Sequence, residues 1–420
     1  MTPDQIIALA VQPLTRILDG STPADIELTR FFKQRGSGPK ERTPVGDLVF
    51  TVLRHQRRLQ GHLLHAAPNR QPGPLELAAA ALADLQAWDA LQLRALLHEP
   101  PPSLPLPPFP TAPPAEECSL PDWIWDTFVD QWGLDTAQKL GHALNQPAPT
   151  DLRVNRLRST REQTAAALAA EGVITTPLPL APDGLRLTRH HPVTTLTSFR
   201  QGGFEIQDEG SQLISLLLAP CPGETVIDLC AGAGGKTLHM AALMRNQGRI
   251  LAADSDTQRL ARLPQRIRRA GIRIIQTLPL RHEGDPSLRP WTSKADAVLV
   301  DAPCSGIGTL RRRPEVKWRL TPDQITTFHH RQRALLAAGA RLTRPGGRLV
   351  YATCSLLPQE NAAVANAFLR ENHDFRLVPA MATLAEQGIT GLYCTDSFLT
   401  LMPHSTGCDG FFAALFKRNR

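Results

Sequence analysis

The chain has 420 residues, which at roughly 100 to 200 residues per domain predicts two to four units and excludes one small module. Its 42% hydrophobic and 20% charged fractions are those of a packed globular protein and exclude global disorder or a collagen-like fibre. Lys and Arg total 46 against 39 Asp and Glu, and the net charge of +7 favours a polyanionic partner over an acidic solute-binding surface.

The longest apolar runs, such as the one around residues 213–220, fall short of the roughly 20 residues that cross a bilayer, so no membrane partner is expected. Met1-Thr2-Pro3-Asp4-Gln5 runs into an amphipathic pattern without a basic start, apolar centre and cleavage site, which predicts a cytoplasmic location. Seven cysteines, at 118, 221, 230, 304, 354, 394 and 408, include no C-x-x-C pair, so neither a disulfide framework nor a zinc ribbon is supported. His62 and His65 share a helical face without acidic or Cys company and read as structural, so no metal is expected.

From the start to about residue 98, apolar residues recur at three- and four-residue spacing (Ile6, Ile7, Leu9, Ala10, Val11, Leu14; then Val49, Phe50, Val52, Leu53, Leu59), an all-helical signature. Ser21-Thr22-Pro23 and Thr43-Pro44 supply helix starts. Residues 1–70 hold ten Lys/Arg and six Asp/Glu, consistent either with a basic module or with a solvated helical face. Nine prolines between 100 and 114 predict an extended tether over 100–116. Helix resumes in Ser119-Leu120-Pro121-Asp122-Trp123, followed by a strand over 150–155 and an Ala-rich helix over 160–172 ended by Gly172, giving a small mixed domain at 117–200.

From residue 201 short β-branched runs alternate with helical segments. Strands are predicted at 225–229, 249–254, 272–275, 297–301 and 348–353, so residues 201–420 read as α/β with a largely parallel sheet. The first strand enters Cys230-Ala231-Gly232-Ala233-Gly234-Gly235-Lys236-Thr237 and then a helix, the usual place for a ligand in an open α/β sheet. A P-loop would need Gly where Cys230 stands, and a dinucleotide turn would need Gly where Thr237 stands. An S-adenosylmethionine loop remains, and Asp254 at the end of the second strand has the spacing for a ribose-binding carboxylate.

The fourth strand ends in Asp301-Ala302-Pro303-Cys304-Ser305 and the fifth in Thr353-Cys354-Ser355, which places two cysteines on the cofactor edge of the sheet. Cytosine C5 accepts a methyl group once a thiolate has added to C6, and cysteine is polarisable, partly ionised near neutrality and a good leaving group. Burial as a small apolar side chain is the competing fate of a free cysteine, and it is the reading favoured for Cys221 and Cys230.

Residues 228–237, 301–305 and 352–355 together resemble the signature motifs of the Nop/Sun family of RNA cytosine-5 methyltransferases. The resemblance extends to residues 204–212, to Asp409-Gly410-Phe411-Phe412 and to Leu152-Arg153-Val154-Asn155, which is similar to the family's pre-catalytic domain. Residues 1–99 resemble the NusB-like RNA-binding domain of the bacterial member that modifies small-subunit ribosomal RNA. The resemblance implies a Rossmann-like methyltransferase that uses S-adenosylmethionine and makes 5-methylcytosine in RNA, most readily ribosomal RNA, and a monomer. It makes Cys354 the nucleophile and Cys304 the group that helps release product; Asp301 would contact cofactor and base, Asp254 the ribose, and residues 230–236 the rest of the cofactor. Ala233 stands where many relatives have Pro, and the family's acid after strand three is absent, with Thr277-Leu278-Pro279-Leu280 there, which bears on adenine recognition. A noncatalytic ribosome-assembly factor retaining the fold, and a DNA methyltransferase, are the competing readings.

Two basic clusters complete the sequence picture. Arg259, Arg262, Arg266, Arg268, Arg269 and Arg273 fall within fifteen residues that contain no acid, and Arg311-Arg312-Arg313 precedes Lys317 and Arg319. The second is expected to clamp RNA beside the catalytic mouth and the first to be a solvated helix face.

Overall fold

The computed structural model describes residues 1–20, 22–66, 71–86, 112–392 and 397–420. Most of the expected proline tether, and the segment after residue 86, lie outside these. The described chain forms two compact units, residues 1–147 with 309–321, and residues 148–308 with 322–420.

In the first unit, α1 (Pro3–Leu18), α2 (Ala24–Arg35), α3 (Pro39–Ala66) and α4 (Pro74–Gln86) pack around Ala10, Leu14, Leu48, Val52, Leu53 and Leu77. These are the positions that the three- and four-residue spacing turns to one side of each helix. The helix expected at Thr22-Pro23 begins at Ala24. The one expected at Thr43-Pro44 begins earlier, because Pro39 already supplies proline to an opening turn, and Pro44 lies inside α3. A non-helical His55 (φ −109°, ψ 18°) kinks α3. Pro114–Glu117, inside the expected tether, is a single helical turn. The pair α5 (Asp122–Trp132) and α6 (Leu134–Leu144) belongs to this unit, although the sequence groups both helices with the strands that follow.

Residues 309–321, inserted from far along the chain, complete this unit. The Lys317 ammonium donates to the Arg54 carbonyl (2.7 Å) and to Asn145 Oδ1 (2.9 Å), and the Trp318 indole donates to the Leu53 carbonyl (2.9 Å). Arg319 donates to the Thr22 carbonyl (2.5 Å) and Arg311 to the Pro147 carbonyl (3.4 Å). Arg311, Lys317 and Arg319, expected to hold RNA, are thus engaged with backbone carbonyls of the first unit and, for Lys317, with the Asn145 side chain.

The second unit opens with β1 (Asp151–Val154), α7 (Arg161–Ala170), β2 (Thr175–Pro177), β3 (Gly184–Leu187) and β4 (Phe204–Ile206). The strands form an antiparallel sheet in the order β2-β3-β1-β4. Thr160 caps α7 by accepting from Gln163 N, while Gln163 Oε1 accepts from Thr160 N, a reciprocal capping box. There follow α8 (Glu209–Leu218), β5 (Thr225–Asp228), α9 (Gly235–Leu243), β6 (Arg249–Asp254), α10 (Leu263–Ala270), β7 (Ile275–Pro279), β8 (Ala295–Asp301), α11 (Pro322–Leu342), β9 (Thr343–Thr353), α12 (Ala362–Glu371), β10 (Phe375–Val378), β11 (Leu399–Leu401) and β12 (Phe411–Arg418).

The large sheet has the order β10-β12-β9-β8-β5-β6-β7, with β11 on β12; β7 through β9 run parallel and β12 antiparallel. Helices cover both faces, so the central strands are apolar on both sides: Val226, Ile250 and Leu299 face one cluster, Ile227, Leu251 and Val298 the other. The third strand begins at Ile275 rather than Ile272. Gly271 takes a left-handed conformation (φ 73°) after α10, and Ile272 N bonds back to the Ile267 carbonyl (3.1 Å), so Ile272 seals the helix end.

Candidate active site

Four strand ends meet on one edge of the sheet. The register pairs Asp228 with Leu299 and with Ala252, and Asp301 with Ala352, so the glycine loop, Asp254, Asp301 and Cys354 emerge along the same side.

The loop after β5 is held by three side chains. Asp254 accepts from Gly232 N (2.6 Å) and from Asp256 N (2.7 Å). Arg266 donates to the Ala233 carbonyl (2.6 Å), and buried Arg153, from β1, donates to the Gly235 carbonyl (2.7 Å). Gly232 (φ 54°) and Gly234 (φ 86°) are left-handed, and a Cβ on Gly234 would stand 2.2 Å from Leu263 Cδ1. Only glycine meets both demands there. Arg153 gave no functional signal beyond its membership in the Leu152–Asn155 motif; its bond to Gly235 ties that motif to the loop.

Beside the loop is a cavity of about 300 Å³ whose lining includes Asp208, Asp228, Lys236, Arg259 and Asp301, together with Cys230, Ala231, Ala233 and Gly235. Asp254, Gly232 and Gly234 shape the loop without lining this cavity. Lys236 donates to Asp301 Oδ2 (2.7 Å). Burial opposes the charge on Lys236, but Asp301 outweighs it and holds the ammonium above its usual range. Asp228 accepts from the Thr237 hydroxyl (2.6 Å), while its Oδ1 is buried without a hydrogen-bond partner. Burial raises the Asp228 carboxyl to about 7, the Thr237 bond opposing.

The two cysteines stand with their Sγ atoms 3.3 Å apart, both half-buried. The contact with Cys354, then burial, pushes the Cys304 thiol well above the ordinary cysteine value. Of the two cysteines read as buried and apolar, Cys221 is exposed and Cys230 lines the cavity, where burial raises its thiol well above the usual value.

Both cysteine turns are tied to one buried carboxylate that carried no sequence signal of its own. Glu360 accepts from Ser305 N (2.8 Å), the Ser305 and Ser355 hydroxyls (2.5 Å each) and the Gln332 amide (2.9 Å). Ser305 follows Cys304 and Ser355 follows Cys354, so Glu360 fixes the two turns against each other. The distant motifs meet here too: Asp208 accepts from Asp409 N (3.1 Å), Gly308 N donates to the Cys354 carbonyl (2.9 Å), and Gly410 N donates to the Gly308 carbonyl (2.8 Å). After β7, Leu280 is buried where the resemblance expects an acid.

Known proteins share this framework. The model of the 16S rRNA methyltransferase RsmB/F family matches residues 215–417, and that of the ferredoxin-like domain of RsmF/B-like methyltransferases matches residues 120–194. A Synechocystis protein named probable ribosomal RNA small subunit methyltransferase B is 40% identical over 72% of this chain and 68% of its own length. The crystal structure of PH0851 superposes with a TM-score of 0.81 at 27% identity, covering 100% of this chain and 99% of that one. A methyltransferase homolog from Pyrococcus horikoshii superposes with a TM-score of 0.62 at 30% identity, over 73% of this chain and 97% of its own. Its fold, its motifs and these similarities make this chain a member of the RsmB/F family of 16S rRNA methyltransferases.

Proposed function

We propose that the chain methylates C5 of a cytosine in small-subunit ribosomal RNA, with S-adenosylmethionine as donor and a covalent Cys354–C6 adduct on the path. The observation that carries this reading is the pair of cysteines 3.3 Å apart at adjacent strand ends, on the sheet edge that also holds the glycine loop.

The cavity suits the donor. Its volume is at the small end of ligand sites, and its lining offers Asp208 and Asp301 for an ammonium group and Lys236, Arg259 and Arg266 for a carboxylate, with the unsatisfied Oδ1 of Asp228 beside them. S-adenosylmethionine supplies an electrophilic methyl carbon when bound. Residues 230–236 form the loop that receives it, Asp254 holds that loop from the end of β6, and Asp301, bridging to Lys236, faces both cofactor and base. Cys354 adds to C6 through its sulfur, which makes C5 nucleophilic. Cys304, whose Sγ lies 3.3 Å from that of Cys354, assists departure of the product: the methylated C5 gives its proton to solvent, the C5–C6 double bond re-forms, and the C6–S bond breaks to return Cys354 as the thiolate. Residues 1–99 serve as a NusB-like RNA-binding module ahead of the linker and the pre-catalytic strands, and residues 201–420 carry out the chemistry.

The absence of an acid after β7 favours a noncatalytic assembly factor, but the preserved pair of cysteines has no use in that reading. The two part in one experiment. Wild-type chain, small-subunit RNA and labelled S-adenosylmethionine should give 5-methylcytidine; Cys354→Ala should give neither product nor conjugate, and Cys304→Ala should accumulate an RNA–protein conjugate stable to denaturation. No methyl transfer by the wild type would overturn catalysis. A conjugate retained in Cys354→Ala and lost in Cys304→Ala would exchange the roles of the cysteines.

A further inference from the structure

Beside the cofactor cavity, with which the smaller of them shares Arg266, the second unit contains two adjoining cavities of about 640 and 370 Å³, both lined by Arg200 and Arg269. The larger adds Arg158, Arg268, Gln163 and Ser198, and the smaller adds Arg266; no carboxylate lines either. The walls come from the turn after β1, from α7, from the segment before β4 and from α10.

Their spacing is fixed. The Asn155 amide donates to the Gly202 carbonyl (2.9 Å) on one wall and to the Ala270 carbonyl (3.0 Å) on the other. At Gly202 (φ 75°) the chain lies so close to α10 that a Cβ would stand 2.0 Å from the Arg269 carbonyl oxygen. Glu205 is saturated by Arg266 (2.8 Å) and Arg269 together, and Arg269 also lies 3.8 Å above the Phe199 ring. Arg158, Arg200 and Arg268 are exposed and, among the described residues, have no carboxylate partner.

We infer that this arginine-lined cleft binds the sugar-phosphate backbone of the substrate RNA outside the target nucleotide, an inference that rests on the RNA methylation proposed above. Unpaired guanidiniums in a concave, acid-free surface suit phosphate oxygens, which accept two parallel N–H bonds from one arginine. The cluster expected to clamp RNA is largely engaged in holding the first unit, whereas Arg268, read from sequence as part of a solvated helix face, stands in this cleft with Arg158 and Arg200.

The test compares the full chain with R158E/R200E/R268E and with a charge-matched control, R289E/R370E/R376E, in which three exposed arginines outside the cleft are reversed. RNA binding is measured against salt, methylation is followed at varied RNA, and calorimetry reads cofactor affinity. The cleft variant should raise the RNA KM about tenfold or more and lower the slope of log affinity against log salt by about 2 to 3. Cofactor affinity should hold, and the control should resemble wild type. An unchanged KM and slope in the cleft variant, or equal losses in the control, would overturn the inference while wild-type methylation still stood. A wild type that binds RNA through these arginines yet transfers no methyl group would instead overturn the catalytic reading and leave the cleft.

Discussion

At the scale of single residues, burial decides which groups carry charge. Asp228 keeps its proton in the folded chain up to about pH 7, against 3.8 as the ordinary value. Its folded value is raised, so its contribution to stability is complete below the unfolded value and is lost as pH climbs toward 7. Asp228→Asn still accepts from Thr237 but does not titrate. Between pH 4 and 7 the wild type should therefore lose ground to this variant by up to about 1.4 kcal/mol per pH unit, read as a growing gap in thermal midpoint. A gap that stays constant with pH would show the carboxyl to be ionised throughout. Glu360 acts differently, through geometry. Glu360→Gln puts an amide donor against a cluster made of Ser305, Ser355 and Gln332 donors, which should separate the two cysteine turns. We expect kcat to fall by about tenfold or more with the KM for cofactor unchanged, and both formation and release of the RNA conjugate to slow together. Loss of cofactor affinity in parallel would mark Glu360 as merely structural.

At the scale of elements, the glycine loop is the part whose conformation the sequence announced. Gly234 is left-handed and pressed against Leu263, so Gly234→Ala combines backbone strain of order 1–3 kcal/mol with a steric conflict. Calorimetry should find cofactor binding weakened by about tenfold or more and the thermal midpoint lowered; unchanged values would mean the loop is free to reshape. The same local chemistry explains what was and was not legible. Strand ends bearing Asp228, Asp254, Asp301 and Cys354 could be read because buried parallel strands are continuous apolar runs that stop at polar residues. Three-residue strands such as β2 and β4 have no room for a periodic signal, and the apolar run from Ile272 mixes a helix seal with a strand. Glu360 was silent because a lone acid after a loop looks like surface until Ser305, Ser355 and Gln332 are seen to surround it.

At the scale of the molecule, the chain is not divided in sequence order. Residues 309–321, between two elements of the large sheet, are built into the helical unit with residues more than two hundred positions earlier. Such long-range pairing leaves no local pattern, which is why Arg311, Lys317 and Arg319 read as a nucleic-acid cluster. Lys317 is buried with no acidic partner among the described residues, and burial, with Arg54 beside it, drives its ammonium well below the ordinary lysine value. What holds it is a pair of acceptors, the Arg54 carbonyl at the kinked stretch of α3 and Asn145 at the end of α6. Lys317→Ala would leave both acceptors unsatisfied and open a cavity, at a cost of about 2–4 kcal/mol. Because the lost bonds all lie within the first unit, hydrogen exchange should accelerate in the amides of α3, α5 and α6 while the strands β5, β6 and β8 keep their protection. Equal acceleration in both would show that the inserted segment supports the whole chain rather than the helical unit it completes.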